Sequence, residues 1–393
     1  MNRQYFHSLA NALAHDGFSE PLMVIDLARL RHNIELFQHM LPQGMAYRIV
    51  AKSLPSPALL NFVMKKTRSN RLMSFNAEMT GQLLKAFPNS DQLLGKPLPE
   101  KRLASFLAQL PAGLKRKQGH IQWLVDTPER LAAYEAIARG FNVKLRISLE
   151  LDVGLHRGGF SPGAHLQAGL DILQSSQHLT LSGTMGYEPH LTKIPDIEGW
   201  RDRAKRGAWK ILDDTYDQIA TQFGVGVLSS LIRNTAGSPT FGLYKNMQHS
   251  NELAAGSALV KPSDFDIPLL RRFKPAAFIA TPALKVSKGV EFPAHEFANG
   301  VVGNIQPGQK IFVHGGYWMA SPVFPRGLTY SDIFGRSSNQ DLLLAPPNLK
   351  IKVDDYVFLR PHQSEAVFLQ FPNIAIFDDG KITDIWHPLP VSA

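Results

Sequence analysis

The chain of 393 residues contains no cysteine. Disulfide bonds, thiolate zinc sites and a cysteine nucleophile are therefore excluded. The sequence also lacks any run of about 18 apolar residues, so we expect no membrane span and no membrane partner. Its N-terminal stretch, MNRQYFHSLANALAHDGF, is interrupted by His7, Asn11, His15 and Asp16 and has no continuous apolar core of the kind found in signal peptides. We therefore expect a cytoplasmic protein.

Clustered positive charge is also lacking. The chain has 42 basic and 33 acidic residues, a net charge of +9, but the basic residues are scattered. The densest stretches, GLKRKQGH and WRDRAKRGAWK, are short, and Asp202 interrupts the second. Because nucleic-acid binding usually needs a clustered basic face, we expect no nucleic-acid partner. A mildly positive protein suits small anionic substrates.

Strand and helix patterns alternate through the first two-thirds of the chain. Nine apolar strand patterns are separated by amphipathic helix patterns, two of which begin at clear capping residues, Asn76 and Thr127. Such alternation predicts βαβ units and a parallel sheet. If the first pattern, PLMVIDL, pairs elsewhere, eight strands remain, which is the number that closes a (β/α)8 barrel.

The composition changes after about Pro268. Short apolar runs such as QKIFVHGGYW, DYVFLRP and IAIFDDGKI are separated by Gly, Pro, Asn and Asp, and helix patterns nearly vanish. This pattern predicts an all-β C-terminal domain. We place the domain boundaries at residues 1–26 for an N-terminal segment and strand, 27–266 for the barrel and 267–393 for the β domain.

The strand pattern YRIVAK ends on Lys52, at the end of a barrel strand where active sites of such barrels lie. Most lysines are solvated surface groups, and that interpretation stays open. The alternative is an amine nucleophile that forms a Schiff base with a carbonyl compound or with pyridoxal phosphate. Arg48 lies four residues back on the same face of the strand, and a neighbouring cation would favour the neutral amine.

Two Gly-Ser pairs follow neighbouring strand patterns, in NTAGSPT (residues 234–240) and in AAGSALV (residues 254–260). Each one alone is compatible with an ordinary loop. Glycine lets the backbone approach an anion, and serine and threonine add hydroxyl donors. Because the last strands of such barrels often build a phosphate site, the two pairs together favour phosphate binding.

Three further segments carry polar side chains at strand exits. LELDVGLHRGGF contains Arg157, which suits a phenolate or carboxylate if the segment is an active-site rim and not a solvated loop. MGYEPH offers Tyr187, Glu188 and His190, either as packing and surface groups or as site residues. RPHQSEAV places His362 in the predicted β domain, where a lone histidine is more often structural than a ligand.

Together these motifs resemble the fold-type III pyridoxal-phosphate enzymes, the alanine-racemase-like barrel group, and within it the branch with D-serine dehydratase and D-threonine aldolase. The resemblance rests on PLMVIDLARLRHNI, RIVAKS, ELDVGLHRGG, GYEPH, TAGSPT, ELAAGSALV and RPHQSEAV. It spans nearly the whole chain; each motif is short, but their order and spacing are specific. The implied fold is α/β, a (β/α)8 TIM-type barrel followed by a C-terminal all-β domain that also takes the N-terminal strand.

The resemblance implies a role for each matched residue. Lys52 would form the Schiff base with pyridoxal 5'-phosphate and carry the proton at the substrate α-carbon. Arg157 would lie near the phenolic oxygen of the cofactor and Tyr187 near its pyridine ring, and these three residues are the predicted catalytic set. The other cofactor-binding residues predicted are His190, Thr235, Gly237, Ser238, Gly256 and Ser257.

Two positions depart from the pattern of this branch. Its aldolases and dehydratases commonly carry a histidine two residues after the lysine, where this chain has Leu54. They also bind a divalent metal through His-x-Cys or His-x-Asp, whereas here His362 is followed by Gln363 and Ser364. Serine is a poor metal ligand. His362 is the one metal ligand that we predict, and metal dependence stays open.

The resemblance implies a pyridoxal-phosphate-dependent lyase for D-amino acids that assembles as a homodimer. We favour a D-serine-dehydratase-like deaminase acting on a D-β-hydroxy amino acid. A D-threonine-type aldolase, an amino-acid racemase and a non-catalytic pyridoxal-phosphate carrier are the alternatives. A racemase needs a second acid or base on the opposite substrate face, and known carriers resemble the barrel alone.

Overall fold

The computed structural model describes residues 3–195, 197–289, 308–332 and 334–390. The chain forms two compact units, one of Met1–Asn33 with Leu259–Pro388 and the other of Ile34–Ala258 with Leu389–Ala393. The helices are α1 (Arg3–His15), α2 (Leu27–Met40), α3 (Pro57–Thr67), α4 (Ala77–Ala86), α5 (Glu100–Gln109), α6 (Pro128–Gly140), α7 (Ala164–Ser175), α8 (Trp200–Phe223), α9 (Val227–Ser230) and α10 (Ser257–Val260). The strands are β1 (Leu22–Asp26), β2 (Ala46–Val50), β3 (Arg71–Ser74), β4 (Asp91–Leu94), β5 (Ile121–Val125), β6 (Leu145–Leu151), β7 (Leu179–Gly186), β8 (Ile232–Thr235), β9 (Glu252–Ala255), β10 (Ala277–Lys288), β11 (Gln309–His314), β12 (Ala320–Phe324), β13 (Thr329–Tyr330), β14 (Gln340–Ala345), β15 (Tyr356–Pro361), β16 (Ile374–Asp378) and β17 (Lys381–Trp386).

The second unit is a closed barrel of eight parallel strands, β2 to β9 in chain order. Strand β9 closes it by pairing with β2, where Ala46 lies beside Glu252. The predicted TIM-type barrel is therefore confirmed. Each of its eight strands has four to eight residues. All eight carboxyl ends face the same rim, where active sites of such barrels lie.

Local signals that the sequence displays account for two helix starts. The side chain of Asn76 accepts a hydrogen bond of 2.7 Å from the Met79 amide at the start of α4. Thr127 does the same for α6, accepting 3.2 Å from the Arg130 amide, and a proline follows it. Each cap satisfies an amide that the helix itself leaves unpaired, which stabilises the start by about 1 kcal/mol. Both predicted caps are confirmed.

Buried ion pairs cross the barrel interior near the amino ends of the strands. Arg48 is fully buried, with its Nε 2.5 Å from Glu252 and its Nη2 2.7 Å from Asp91. Arg71 lies 2.5 Å from the carboxylate of Glu252, and Arg146 lies 2.8 Å from that of Asp91. Burial lowers the pKa of Arg48, but the two carboxylates outweigh it and the pKa is raised. These pairs join five strands, β2, β3, β4, β6 and β9, that local sequence does not connect.

The first unit is a nine-stranded sheet in the order β13-β14-β11-β10-β1-β16-β17, with β15 beside β10 and β12. The N-terminal strand β1 lies inside it, antiparallel to β10 and parallel to β16. The prediction that this strand joins the C-terminal β domain is therefore confirmed. Helix α1 packs on the sheet through Phe6, whose ring centroid is 5.4 Å from Phe278 and 5.1 Å from Phe358. No helix in the described ranges is both long and apolar enough to cross a membrane.

Candidate active site

Lys52 lies just beyond the carboxyl end of β2, on a single 3-10 turn formed by Ala51–Ser53. The turn closes through the Leu54 amide, which donates to the Ala51 carbonyl at 3.0 Å. The Nζ of Lys52 lies 4.6 Å from the ring centroid of Phe75, which follows β3. The amine therefore lies at the carboxyl-end rim of the barrel.

This turn corrects an expectation about Lys52. The strand ends at Val50, so the strand periodicity that placed Arg48 and Lys52 on one face does not reach the lysine. The expected placement of Arg48 and Lys52 on one strand face is therefore wrong. The charge of Arg48 is also compensated by Glu252 and Asp91.

The two predicted phosphate turns contain glycines whose surroundings leave no room for a side chain. A Cβ on Gly256 would lie 2.7 Å from the Val50 carbonyl oxygen and 2.8 Å from the Ser53 Cβ. A Cβ on Gly237 would lie 2.5 Å from the ring of Tyr187. Both contacts are shorter than van der Waals separation. At Gly256 the neighbour is backbone, so only glycine allows this approach, whereas at Gly237 the ring of Tyr187 would have to move.

Hydroxyl groups join the two glycine turns to the lysine turn. Ser238 Oγ accepts hydrogen bonds from the amides of Gly256, at 3.2 Å, and Ala258, at 2.9 Å. The hydroxyls of Ser53 and Ser257 are 2.9 Å apart. The ends of β2, β8 and β9 therefore bring three hydroxyls and two backbone amides together. Such groups are the donors that bind a phosphate.

Arg157 and Tyr187 meet on the neighbouring strand exits. The guanidinium carbon of Arg157 is 5.6 Å from the ring centroid of Tyr187. Its Nη2 lies 3.8 Å from Glu150, at the end of β6, while 55% of the Arg157 side chain stays exposed. Burial raises the pKa of Glu150, and Arg157 opposes that rise. The structure thus links Arg157, Tyr187 and Gly237 in one row of contacts.

The loop that carries Arg157 is shaped by Asp152. Its carboxylate accepts from the amides of Gly154, at 3.1 Å, and His156, at 2.9 Å. Burial raises the pKa of Asp152, but the bonds from His156 and Gly154 outweigh it and the pKa is lowered. The loop is closed further by Phe160, whose amide donates to the backbone carbonyl of Glu150 at 2.7 Å. These bonds hold the loop that presents Arg157.

His190 lies between the Arg157 loop and the Tyr187 segment. Its Nε2 would be 3.4 Å from a Cβ on Gly154, and its Nδ1 is buried with no hydrogen-bond partner in the described ranges. Burial lowers the pKa of His190, and so does the nearby His156. The role of His190 as a cofactor-binding residue stays a prediction.

Thr235 and His362 are the predicted residues that these contacts do not connect to the group. Thr235 is buried, and its hydroxyl has no hydrogen-bond partner among the described residues. In the other unit, Nε2 of His362 lies 2.7 Å from the hydroxyl of Ser321. No group of three His, Asp or Glu side chains within the described ranges is arranged to hold a metal. The metal role of His362 stays a prediction.

Sequence reasoning noticed Glu188 but did not select it as a site residue. It follows Tyr187 directly and is 2% exposed. Neither of its carboxyl oxygens has a hydrogen-bond partner among the described residues. The neighbouring motif GYEPH showed an acid beside a tyrosine, but nothing in it indicated burial.

The comparisons with known proteins agree with this arrangement. A family model described as alanine racemase, N-terminal domain, matches residues 25–264, which is more than half of the chain. The chain belongs to this family, the fold-type III pyridoxal-phosphate enzymes. No curated protein sequence matches the chain.

Solved structures of this family share the fold of the chain. D-threonine aldolase from Filomicrobium marinum has a TM-score of 0.70 at 15% identity, over 94% of this chain and 96% of that one. Alanine racemase of Clostridium difficile 630 has a TM-score of 0.70 at 14% identity, over 94% and 98%. D-threo-3-hydroxyaspartate dehydratase from Delftia sp. HT23 has a TM-score of 0.69 at 15% identity, over 96% and 99%. At such identities the likeness shows the fold alone.

Membership of the family implies pyridoxal phosphate, and the residues at the rim fit that group. Gly237 and Gly256 keep side chains out of the two turns. The amides of Gly256 and Ala258 donate hydrogen bonds to the Ser238 hydroxyl, and an anionic oxygen could accept the same bonds. Lys52 supplies an amine and Arg157 a cation at the same rim. The donor set therefore matches a phosphorylated aldehyde.

Proposed function

We propose that this chain is a pyridoxal-phosphate-dependent lyase, a D-serine-dehydratase-like deaminase of D-β-hydroxy amino acids. The observation that carries the proposal is the position of Lys52. It lies on the 3-10 turn Ala51–Ser53, and the last residue of that turn, Ser53, has its hydroxyl 2.9 Å from that of Ser257 and borders Gly256. An amine beside an anion-binding turn suits a phosphorylated aldehyde.

The proposed roles follow from the contacts of each side chain. Bound pyridoxal phosphate supplies an electron sink for the negative charge left at the substrate α-carbon. Lys52 would hold the cofactor and move the proton at that carbon. Arg157 would place positive charge near the phenolic oxygen. Its guanidinium lies beside Glu150 and the ring of Tyr187 at the strand exits. Tyr187 would limit the space beside the pyridine ring, since its own ring packs against Gly237.

Dehydration is the reaction that we favour for the β-hydroxy substrate. Loss of the hydroxyl as water, followed by hydrolysis, gives a keto acid and ammonia, whereas cleavage between the α- and β-carbons gives glycine and an aldehyde. The position where related lyases commonly carry a histidine holds Leu54, which is fully buried. The polar group that acts on the hydroxyl must therefore lie elsewhere. The similar solved structures include both a dehydratase and an aldolase, which keeps the aldolase as the second candidate.

The test is a reaction panel. Purified, cofactor-loaded protein is mixed with D- and L-amino acids, and keto acid, aldehyde and enantiomer ratio are followed together. Keto acid and ammonia from D-serine or D-threonine is the expected result. Aldehyde with glycine would replace the proposal by an aldolase, and a changed enantiomer ratio would replace it by a racemase. No turnover, with cofactor still attached to Lys52, would favour the carrier.

Matched variants separate the lysine from general damage. Lys52→Ala should abolish both turnover and the absorbance band that the bound cofactor shows near the visible edge. Lys65→Ala, which removes an exposed lysine of α3, should leave both unchanged. Retention of the band in Lys52→Ala would remove Lys52 from the mechanism.

Metal dependence and assembly are proposals that rest on the family resemblance. We propose a homodimer, which sedimentation of the purified protein tests. His362 lies beside the Ser321 hydroxyl. If His362 binds no metal, a chelator should leave activity largely intact. Loss of activity that a divalent ion restores, and that His362→Ala abolishes, would instead make His362 a metal ligand.

A further inference from the structure

Glu188 is a buried acid that the proposed mechanism does not use. It lies at the end of β7, 2% exposed, with no hydrogen-bond partner for either carboxyl oxygen in the described part of the chain. An ionised carboxylate in such surroundings is strongly disfavoured, so a buried acid of this kind needs a physical explanation. A carboxylate exposed to water at the end of a barrel strand would not carry this desolvation cost.

The surroundings of Glu188 belong to the predicted phosphate turn, residues 235–240. The hydroxyl of Thr240 and the backbone amide of Ala236 both act to lower the pKa of Glu188. Thr240 Oγ1 in turn accepts the Gly237 amide at 3.1 Å. Ala236 has φ of +67°, a left-handed conformation that a side chain rarely adopts. The turn whose groups act on the pKa of Glu188 therefore has a left-handed residue, and its Ser238 accepts from the amides of Gly256 and Ala258.

The charge of Glu188 changes near neutral pH. Burial raises the pKa of Glu188 to about 7, although Thr240 and Tyr244 partly oppose the rise. The phenol of Tyr244, which follows the turn, is the titratable group that faces it. Burial and Glu188 itself raise the pKa of Tyr244 well above its ordinary value, so this phenol stays neutral. His190, two residues along, lies near His156 and Asp152.

We infer that Glu188 is a positioning residue for the 235–240 turn and that the cofactor phosphate binds the form in which Glu188 is neutral. This inference rests on the proposed function, since it takes the turn as the phosphate site. A phosphate on one side of the turn and a carboxylate on the other would repel each other across buried, weakly screened space. By linkage, binding of the phosphate must then take up a proton at Glu188 whenever the free protein is ionised there.

The test measures binding of pyridoxamine phosphate, which carries an amine in place of the aldehyde and cannot react with Lys52. Affinity is measured by calorimetry from pH 5.5 to pH 8.5, in buffers of different ionisation enthalpy, so that proton uptake is obtained directly. The wild type is compared with Glu188→Gln, which keeps the shape of the neutral acid. Glu78→Gln, at a half-exposed site on α4, is the matched control for loss of one carboxylate.

The wild type and Glu188→Gln should bind alike below about pH 6. Above about pH 7 the affinity of the wild type should fall relative to Glu188→Gln by up to about tenfold per pH unit, with a matching uptake of protons. The protonation of the phosphate itself is common to both proteins and cancels in the ratio. Thr240→Ser should keep the wild-type dependence of affinity on pH, because it keeps the hydroxyl that accepts from the Gly237 amide and lowers the pKa of Glu188. Thr240→Val removes that hydroxyl and should weaken the pH dependence.

Two outcomes would overturn the inference in different ways. Binding with the same pH profile and the same proton uptake in the wild type and Glu188→Gln would refute the linkage while leaving the cofactor site intact. Failure of the folded wild type to bind pyridoxamine phosphate at any pH would overturn the proposed function, and the linkage with it. A control variant that reproduces the effect of Glu188→Gln would make it a general charge effect and also refute the inference.

Discussion

Gly256→Ala tests the geometry of the candidate phosphate site. The new Cβ would lie 2.7 Å from the Val50 carbonyl oxygen, 2.9 Å from the Val50 Cβ and 2.8 Å from the Ser53 Cβ. These atoms belong to the segment that carries Lys52, and they cannot yield without moving its backbone. Overpacking of this kind costs about 1–3 kcal/mol. The substitution should therefore shift the turn that holds Ser53 against Ser257.

The expected loss can be measured in two ways. If the strain is relieved by opening the turn, the cofactor should bind about 5-fold to about 150-fold more weakly, since about 1.4 kcal/mol corresponds to tenfold. Absorbance titration with pyridoxal phosphate measures the affinity, and urea unfolding of the apoprotein measures the stability. Gly207→Ala is the matched control, because nothing lies within 4 Å of a Cβ there and the site is inside α8. It should stabilise the protein by about 1 kcal/mol. Unchanged affinity and stability in Gly256→Ala would refute the close approach.

Two further predictions concern buried charge. Glu252→Gln should destabilise the apoprotein by about 3 kcal/mol in urea unfolding, because Arg48 keeps Asp91 but loses its fully buried partner; a loss below about 1 kcal/mol would contradict this. For Glu188, the folded state raises the carboxyl pKa from 4.5 to about 7. The folded state therefore holds the extra proton, and stability should fall by roughly 3 kcal/mol as pH rises from about 4.5 to about 7. Glu188→Gln should lack this slope, and an equal slope in both proteins would contradict the burial of an ionisable acid.

Much of the fold could be predicted because its signals are local. Alternating strand and helix patterns identified the barrel, and Asn76 and Thr127 marked helix starts that the structure confirms. The eight-strand count required one strand to pair elsewhere, and β1 does so beside β10 and β16. The spacing of apolar residues is a property of each segment, so it can be recognised without knowing how distant segments pack.

The parts that escaped prediction depend on residues far apart in the chain. Arg48 and Glu252 are 204 positions apart, so the partner that neutralises the arginine could not be read from its own strand. The short 3-10 turn places Lys52 beyond the end of the strand, and no capping side chain marks the start of that turn. Glu188 follows β7, and the pairing of β7 with β8 brings it to the turn after β8. Its burial therefore depends on a segment about 50 residues away in the chain.

The most direct test of the account is the site of covalent attachment. Cofactor-loaded protein is reduced with borohydride, digested and mapped by mass spectrometry. The account predicts the pyridoxyl label on the peptide that contains Lys52. The informative competitor is Lys261, a buried lysine whose Nζ donates to the Phe273 carbonyl at 2.9 Å and lies 3.5 Å from Asp266. A label on Lys261, or on any lysine other than Lys52, would contradict the central claim.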